Sequence, residues 1–274
     1  MTHIHMDTSP DAMADAIQAD LRAAWASYAA GPGASLLDNE RISRLYTGLP
    51  VPIYNAVTHF QFPENAAPGV IAETLAYFRE ANVPCSWWLG PQTQPPDFDS
   101  LLQAHRPSRI NSLPGMAMDL RMAIPTPKLQ PGDTIEEVLD DDALLEYVRL
   151  DFLGFEIDPG QATAMAAINK ACGYGPGAAW RHFTIRRAGR MIANTSLFTG
   201  AGVAGLYGVA THPDARRQGL ATALVLHVLN VAQRAGYTIS TLQASALGEP
   251  VYRKIGFQTY SDIRLYEWLL PYNT

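Results

Sequence analysis

The stretch LYGVATHPDARRQGLAT, residues 206–222, decides how this chain is read. Leu206-Tyr207-Gly208-Val209-Ala210-Thr211 has the apolar, β-branched and aromatic content of a strand. His212-Pro213 ends it. From Gly219 onward, Leu220, Leu224, Val228, Val231 and Ala235 recur at helical spacing, and this apolar stripe can pack on a sheet. The predicted helix stops at Gly236, a residue that fits a helix C-terminus. A loop that runs into a helix leaves the first-turn N–H groups without intrahelical acceptors. Those donors and the helix dipole, roughly half a positive charge, suit a phosphate. Gly219 lets a ligand approach the backbone, and Arg216 and Arg217 add positive charge. RRQGLA taken alone reads equally well as a surface turn with two solvated arginines. It is neither a Walker loop nor the dinucleotide pattern G-x-G-x-x-G.

Working outward, a strand is predicted at 237–244. A short helix follows at 249–255, with Pro250 in its first turn and Gly256 just past its end. It carries the segment Val251-Tyr252-Arg253-Lys254-Ile255-Gly256-Phe257. With these two segments in this order, the chain resembles the GNAT superfamily of acyl-CoA-dependent N-acetyltransferases. Arg216, Gly219 and Ala221 match that family's Gln/Arg-x-x-Gly-x-Gly/Ala loop. Tyr252, Gly256 and Phe257 match its Tyr-x-x-x-Gly-Phe segment. The resemblance covers residues 134–268 and implies a mixed α/β (α+β) fold with a largely antiparallel sheet, the GNAT fold.

Residues 123–132, AIPTPKLQPG, form a proline-rich connector between halves of similar size. In the first half, helices are predicted at 11–29, 68–80 and 97–105. Strands are predicted within 44–59, at 83–89 and at 115–122. In the second half, helices are predicted at 142–153 and 161–171, followed by a strand meander at 180–185, 191–198 and 203–211. Each half closes with helix, strand, short helix, strand, over 68–120 and 219–268. The first half thus resembles a degenerate copy, with APG where the loop motif should stand. The expected organisation is two tandem GNAT-like domains: a degenerate unit at 1–124, a linker at 125–132 and a catalytic unit at 133–274. The first unit is expected to be structural, its sheet packing against the active half through the apolar run around Trp87 and Trp88.

The resemblance also implies roles. Backbone at Val209, Ala210 and Thr211 would pair with the pantetheine arm of acetyl-CoA. The loop residues Arg216, Arg217, Gln218, Gly219, Leu220, Ala221 and Thr222 would hold its pyrophosphate, mostly through N–H groups. Ser245 stands where the family often has an Asn that touches the cofactor, and Gly248 where a small Ala is common. Tyr252 is the expected proton donor, since a phenol titrating near ~10 can protonate a departing thiolate. Relatives often place a Glu or His on the strand before the loop. Here Gly205 and Tyr207 stand there, which leaves the general base open among a water chain, Tyr207 and His182. The acceptor pocket is expected around residues 152–159 and 262–266, with Glu156 and Asp158 attracting an amine and Phe152, Phe155 and Tyr174 as an apolar wall. Residues 172–177 would shape or cover it. The implied reaction is acetyl transfer from acetyl-CoA to a primary amine of a small molecule or peptide by direct attack. The competing reading is a CoA-binding module without turnover.

Composition narrows the partners. The chain has 274 residues, 47% of them hydrophobic and 17% charged, with 20 Lys and Arg against 26 Asp and Glu, a net charge of −6. An acidic chain without a basic block is a poor match for nucleic acid. No run reaches the ~18 apolar residues of a membrane span, and the first residues lack a basic, then apolar, leader pattern. Cys85 and Cys172 cannot build a disulfide framework or a four-cysteine zinc site. His3 and His5 near the start read as tail rather than ligands, so no metal is expected. A cytoplasmic monomer or homodimer is the resulting expectation.

Overall fold

The computed structural model describes residues 4–271; His3 lies outside them. Helix α1 (Pro10–Ser27) starts at Ser9, with Pro10 in its first turn and Asp11 facing the positive end of the dipole. There follow β1 (Ser35–Asp38), β2 (Ile42–Tyr46), β3 (Ala56–Phe60), α2 (Ala67–Glu80), β4 (Cys85–Leu89), α3 (Phe98–Ala104) and β5 (Arg109–Asp119). The second half runs β6 (Asp133–Glu137), α4 (Asp141–Gly154), α5 (Ala162–Cys172), β7 (Trp180–Arg187), β8 (Arg190–Phe198), β9 (Ala204–Thr211), α6 (Leu220–Arg234), β10 (Ile239–Gln243), α7 (Glu249–Ile255) and β11 (Gln258–Trp268). Helix α4 is capped by Asp140, whose carboxylate accepts the Ala143 N–H at 2.8 Å. No helix among the described residues is long and apolar enough to cross a membrane.

The described strands form one eleven-stranded sheet, β1-β2-β3-β4-β11-β5-β10-β9-β8-β7-β6. Every pairing is antiparallel except β3 with β4 and β9 with β10. The last strands of the two halves are exchanged. β11 lies between β4 and β5, while β5 lies between β11 and β10. Reading outward from the β11–β5 contact, the order is β4, β3, β2, β1 on one side and β10, β9, β8, β7, β6 on the other. The parallel pairs occupy matching places, and each is short: Ala56 and Val57 oppose Ser86 and Trp87, and Ala204 and Gly205 oppose Ser240 and Thr241.

The matching parallel pairs differ in what lies beyond them. Past β3 and β4, the rings of Phe60, Trp87 and Phe98 fill the gap, with Phe60 and Phe98 at 4.3 Å between centroids. The following segment stitches it shut: Gln94 N–H donates to the Phe60 carbonyl at 3.1 Å and Phe62 N–H to the Gln94 carbonyl at 3.4 Å. Past β9 and β10 the gap stays open. Three cores support the sheet. One belongs to the first half around Phe78, Trp87 and Trp268, and one to the second around α6. The third joins α1, Tyr54 and Trp88 to α4 and α5.

The sequence-predicted elements are present, with β1, β6 and the first residues of β5 added. All four β1 side chains are exposed, so no burial alternation marks that edge strand. Strand β5 begins with the exposed run Arg109-Ile110-Asn111-Ser112, held by its ladder to β11 rather than by burial.

Because each half borrows its closing strand, neither should fold alone. Fragments 1–124 and 133–274, expressed separately, are expected to show no cooperative thermal transition by circular dichroism and to recover one on mixing. Cooperative unfolding of either fragment by itself would contradict this.

Candidate functional site

Strands β9 and β10 part after two paired residues, and β9 is further bent by a bulge. Asn194 opposes Ala210 and Ser196 opposes Tyr207, so Gly208 and Val209 together face Thr195. Gly208 has φ +57°, and a Cβ there would come within 2.8 Å of the Asp151 Oδ1. Glycine is thus required for both conformation and space. A cavity of about 280 Å³ opens where the strands part. Val209, Ser245 and Tyr252 lie at one end. Asp151 and His182 line a wall. Trp25, Tyr28, Ile53, Tyr54 and Trp88 from the first half close the other end.

The loop from β9 to α6 continues directly from the strand that lines this opening. His212 N–H donates to the Ile192 carbonyl at 2.9 Å, and Ala215 N–H to the His212 carbonyl at 2.8 Å. Arg217 has φ +64° and Gly219 φ +79°. A Cβ on Gly219 would meet nothing within 4 Å, so the demand for glycine there is conformational and its surroundings are open. Among the described residues, the N–H groups of Arg217, Gln218, Gly219, Leu220, Ala221 and Thr222 reach no protein acceptor. They form a run of donors at the positive end of a 15-residue helix. This arrangement fits a diphosphate. Two of the loop side chains are otherwise engaged. Arg216 straps the loop to the Thr211 and Gly154 carbonyls at 3.3 and 3.4 Å. Gln218 accepts from Arg187 at 2.8 Å.

Tyr252 projects from α7 and is 8% exposed. Among the described residues its hydroxyl makes no hydrogen bond to protein, and it lines the cavity. Burial pushes its pKa up, so it stays protonated at neutral pH. Two neighbours fix its position. Ser245 accepts the Gly248 N–H on its Oγ at 3.1 Å and the Glu249 N–H on its carbonyl at 2.9 Å, which holds the turn into α7. A Cβ at Gly248 would press on the Tyr252 ring at 2.8 Å.

The base candidates separate clearly. His182 is 2% exposed, and burial alone drives it down to about 3, so it is neutral. Its Nδ1 pairs with Ser196 Oγ at 2.8 Å, and Ser196 in turn with the Tyr147 hydroxyl at 2.7 Å. Tyr207 donates its hydroxyl to Asp20 Oδ2 at 2.7 Å, and Thr241 Oγ1 donates to the same oxygen at 2.8 Å. Asp20 comes from α1 in the first half and is fully buried. A Cβ at Gly205 would lie 2.2 Å from Asp20 Oδ2. The space that a strand side chain at 205 would take therefore holds a carboxylate from the other half. Burial raises the Asp20 carboxyl to about 7 against its two donors.

The expected acceptor region is only partly at the cavity. Phe155 and Ile157 line it. Phe152 is fully buried in the core, Glu156 and Asp158 are exposed, and Asp158 caps the next turn by accepting the Gly160 N–H at 2.9 Å. Tyr174 donates to Asp141 at 2.8 Å. Residues 262–266 sit in β11, away from the cavity, and Tyr266 donates to Asp99 at 2.6 Å in the first-half core. The strand exchange is the reason: it carries β11 to the β4 side of β5. The residues that close the cavity instead, Trp25, Tyr28, Tyr54 and Trp88, belong to the half read as structural. One signal was in reach. Asp20 shares the spacing of Ile17, Leu21 and Ala24, which places a carboxylate on the buried face of α1. Among the described residues no group of three or more His, Cys, Asp or Glu is gathered for a metal.

Comparison with known proteins bears on the fold. Residues 199–260 match the family model described as an acetyltransferase (GNAT) domain. The structure is similar to a GCN5-related N-acetyltransferase from Kribbella flavida, at TM-score 0.68 and 16% identity over 96% of both chains. It is similar to a tandem GNAT protein from the clavulanic acid biosynthesis pathway, at TM-score 0.59 and 15% identity over 96% of this chain and 97% of that one. It is also similar to a functionally unknown conserved protein from Staphylococcus epidermidis, at TM-score 0.62 and 10% identity over 84% and 92%. No curated protein matches the sequence. The chain has the GNAT acetyltransferase-like fold, mixed α/β with a largely antiparallel open sheet.

Asp20 gives the site a signature in stability. Its folded pKa lies above the usual 3.8, so the folded chain holds more protons than the unfolded one between those values. The contribution of Asp20 to stability should therefore decline as pH rises through that window. Asp151 shares this sign and His182 opposes it, so the readout is a difference: in urea titrations from pH 5 to 8, Asp20→Asn is expected to lose less stability with rising pH than the wild type does. An unchanged slope in the variant would count against the placement.

Proposed function

We propose that the chain is an acyl-CoA-dependent N-acetyltransferase that moves an acetyl group from acetyl-CoA to a primary amine by direct attack. The observation that carries this reading is the meeting of three features: a parted β9–β10 pair, a run of unpaired N–H groups where β9 leads into α6, and a buried phenol lining the cavity. The N–H groups of Arg217, Gln218, Gly219, Leu220, Ala221 and Thr222 would hold the diphosphate. Backbone at Val209, Ala210 and Thr211 would align the pantetheine arm, and the Ser245 hydroxyl keeps its own hydrogen for a further contact. Acetyl-CoA supplies an acyl carbon activated as a thioester. Tyr252, kept protonated by burial, would hold a proton for the departing sulfur. Tyr207 is oriented by Asp20, whose carboxylate accepts its hydroxyl hydrogen.

In this reading residues 133–274 form the catalytic unit, 125–132 a linker, and 1–124 a degenerate GNAT-like unit. The matching strand order on either side of the β11–β5 contact supports a duplication. The aromatic plug and stitched segment beyond β3 and β4 support a first half that holds no cofactor of its own. It contributes a wall of the acceptor cavity instead.

Tyr252→Phe tests the reading. Acetyl-CoA binding by calorimetry should change little, while thiol release with an accepted amine falls by about a hundredfold or more. Undiminished turnover would remove Tyr252 from the mechanism. Acetyl-CoA binding with no thiol release from the wild type for any amine would favour a binding module.

A further inference from the structure

The cavity wall carries a carboxylate, Asp151, on α4. Its Oδ1 accepts from Asn194 Nδ2 at 3.2 Å and abuts the β9 bulge at Gly208. Among the described residues, Oδ2 receives no hydrogen bond. Asp20, by contrast, is fully buried behind Tyr207 and does not line the cavity. Tyr28 and Tyr54 are 8% and 7% exposed, and among the described residues neither hydroxyl has a hydrogen-bond partner. Burial foremost, with the Asp151 charge contributing, raises the Tyr28, Tyr54 and Tyr147 phenols, and all three line the cavity with Asp151. The other titratable neighbour on this wall is His182, held neutral.

The rest of the lining is mostly aromatic and aliphatic, with Asn169 and Gln243 as further polar side chains. Trp25 and Trp88 pack at 5.1 Å between centroids, and Trp25 meets Tyr207 at 5.6 Å. Both indole N–H groups are turned to protein acceptors, Trp25 to the Ile53 carbonyl at 2.6 Å and Trp88 to Ser86 Oγ at 3.0 Å. What these rings offer a ligand is therefore carbon surface. One free carboxylate, phenol oxygens around it and aromatic walls match a single ammonium on an apolar body. A second cationic centre would be buried unpaired, at a large cost.

Resting on the transferase reading, we infer that the acceptor is a small monoamine with an aromatic or branched-alkyl body, its ammonium bound and deprotonated by Asp151 in a box built from both halves. Asp151 takes one proton from the ammonium. The amine nitrogen then bonds to the acyl carbon as the carbon–sulfur bond breaks. The sulfur gains the Tyr252 proton, and the second proton lost by nitrogen restores Tyr252. The proton on Asp151 returns to solvent. Burial lifts the Asp151 carboxyl to about 7, a value suited to this exchange near neutral pH.

The test uses the full chain. Acetyl-CoA binding is measured first by calorimetry, then thiol release with 2-phenylethylamine, spermidine and lysine amide, for wild type and Asp151→Asn. The expected result is that kcat/KM for 2-phenylethylamine exceeds that for either polycation by at least about tenfold. In Asp151→Asn it falls by about a hundredfold or more, while acetyl-CoA affinity and thermal stability are retained. The decline of kcat/KM toward acid pH should also disappear in the variant. Equal or better use of spermidine or lysine amide, or full activity of Asp151→Asn, would each overturn the inference. Failure of the wild type to bind acetyl-CoA, or binding without turnover of any amine, would instead sink the transferase reading on which it rests.

Discussion

Strand β11 enters the sheet between β4 and β5, and β5 pairs with β10, so the closing strand of each half completes the sheet of the other. The arrangement fixes the two halves edge to edge through main-chain hydrogen bonds, alongside the side-chain core that α1, Tyr54 and Trp88 share with α4 and α5. It also sets α1 against β10, β11 and β5, where Asp20 can reach the face of β9. The cavity, the buried carboxylate beneath Gly205 and the aromatic end wall all follow from that one topological fact.

Two sites with matching topology have opposite fates. Each is a parallel pair held by two residues, and each would open into a gap beyond them. In the first half, large rings and a returning segment consume the gap, and the energy of aromatic burial goes to stability. In the second half, the glycines at 205 and 208 keep the strand thin, and side chains from α1 and α4 stand where strand side chains would have been. The second gap stays lined with groups that have unused hydrogen-bonding capacity. Two places of like topology thus differ in outcome: one is filled and the other is left open.

The sequence made the second half largely legible, because its signals are local. Gly219 before an apolar helical stripe and Tyr252 four residues before Gly256 can be read without knowing any long-range contact. The loop does present free N–H groups, and Tyr252 does line the cavity. What stayed hidden is non-local. Nothing in the residues of β11 reveals that it pairs with β4, so Tyr266, expected at the acceptor pocket, lies in the first-half core. The aromatic wall escaped for the same reason: Trp88 is expected only at a contact between the halves, and nothing local marks Trp25, Tyr28 or Tyr54 as lining a cavity. Asp151 fell within a predicted helix as one more acidic residue, and only the bulge at Gly208 gives it a place in the site. Edge strand β1 lacks alternation because all four of its side chains are exposed, and β6 alternates in burial but carries a single apolar residue, Ile135.

The central claim is that the donors at 217–222 and the open edge of β9 receive a single extended ligand. Amide hydrogen exchange followed by mass spectrometry, with and without acetyl-CoA, addresses it most directly. The account predicts slowed exchange confined to peptides covering 209–211 and 217–222, with the matching segment 61–67 of the first half unchanged. Equal exchange at 217–222 in the presence and absence of acetyl-CoA, or protection appearing at 61–67 instead, would contradict it.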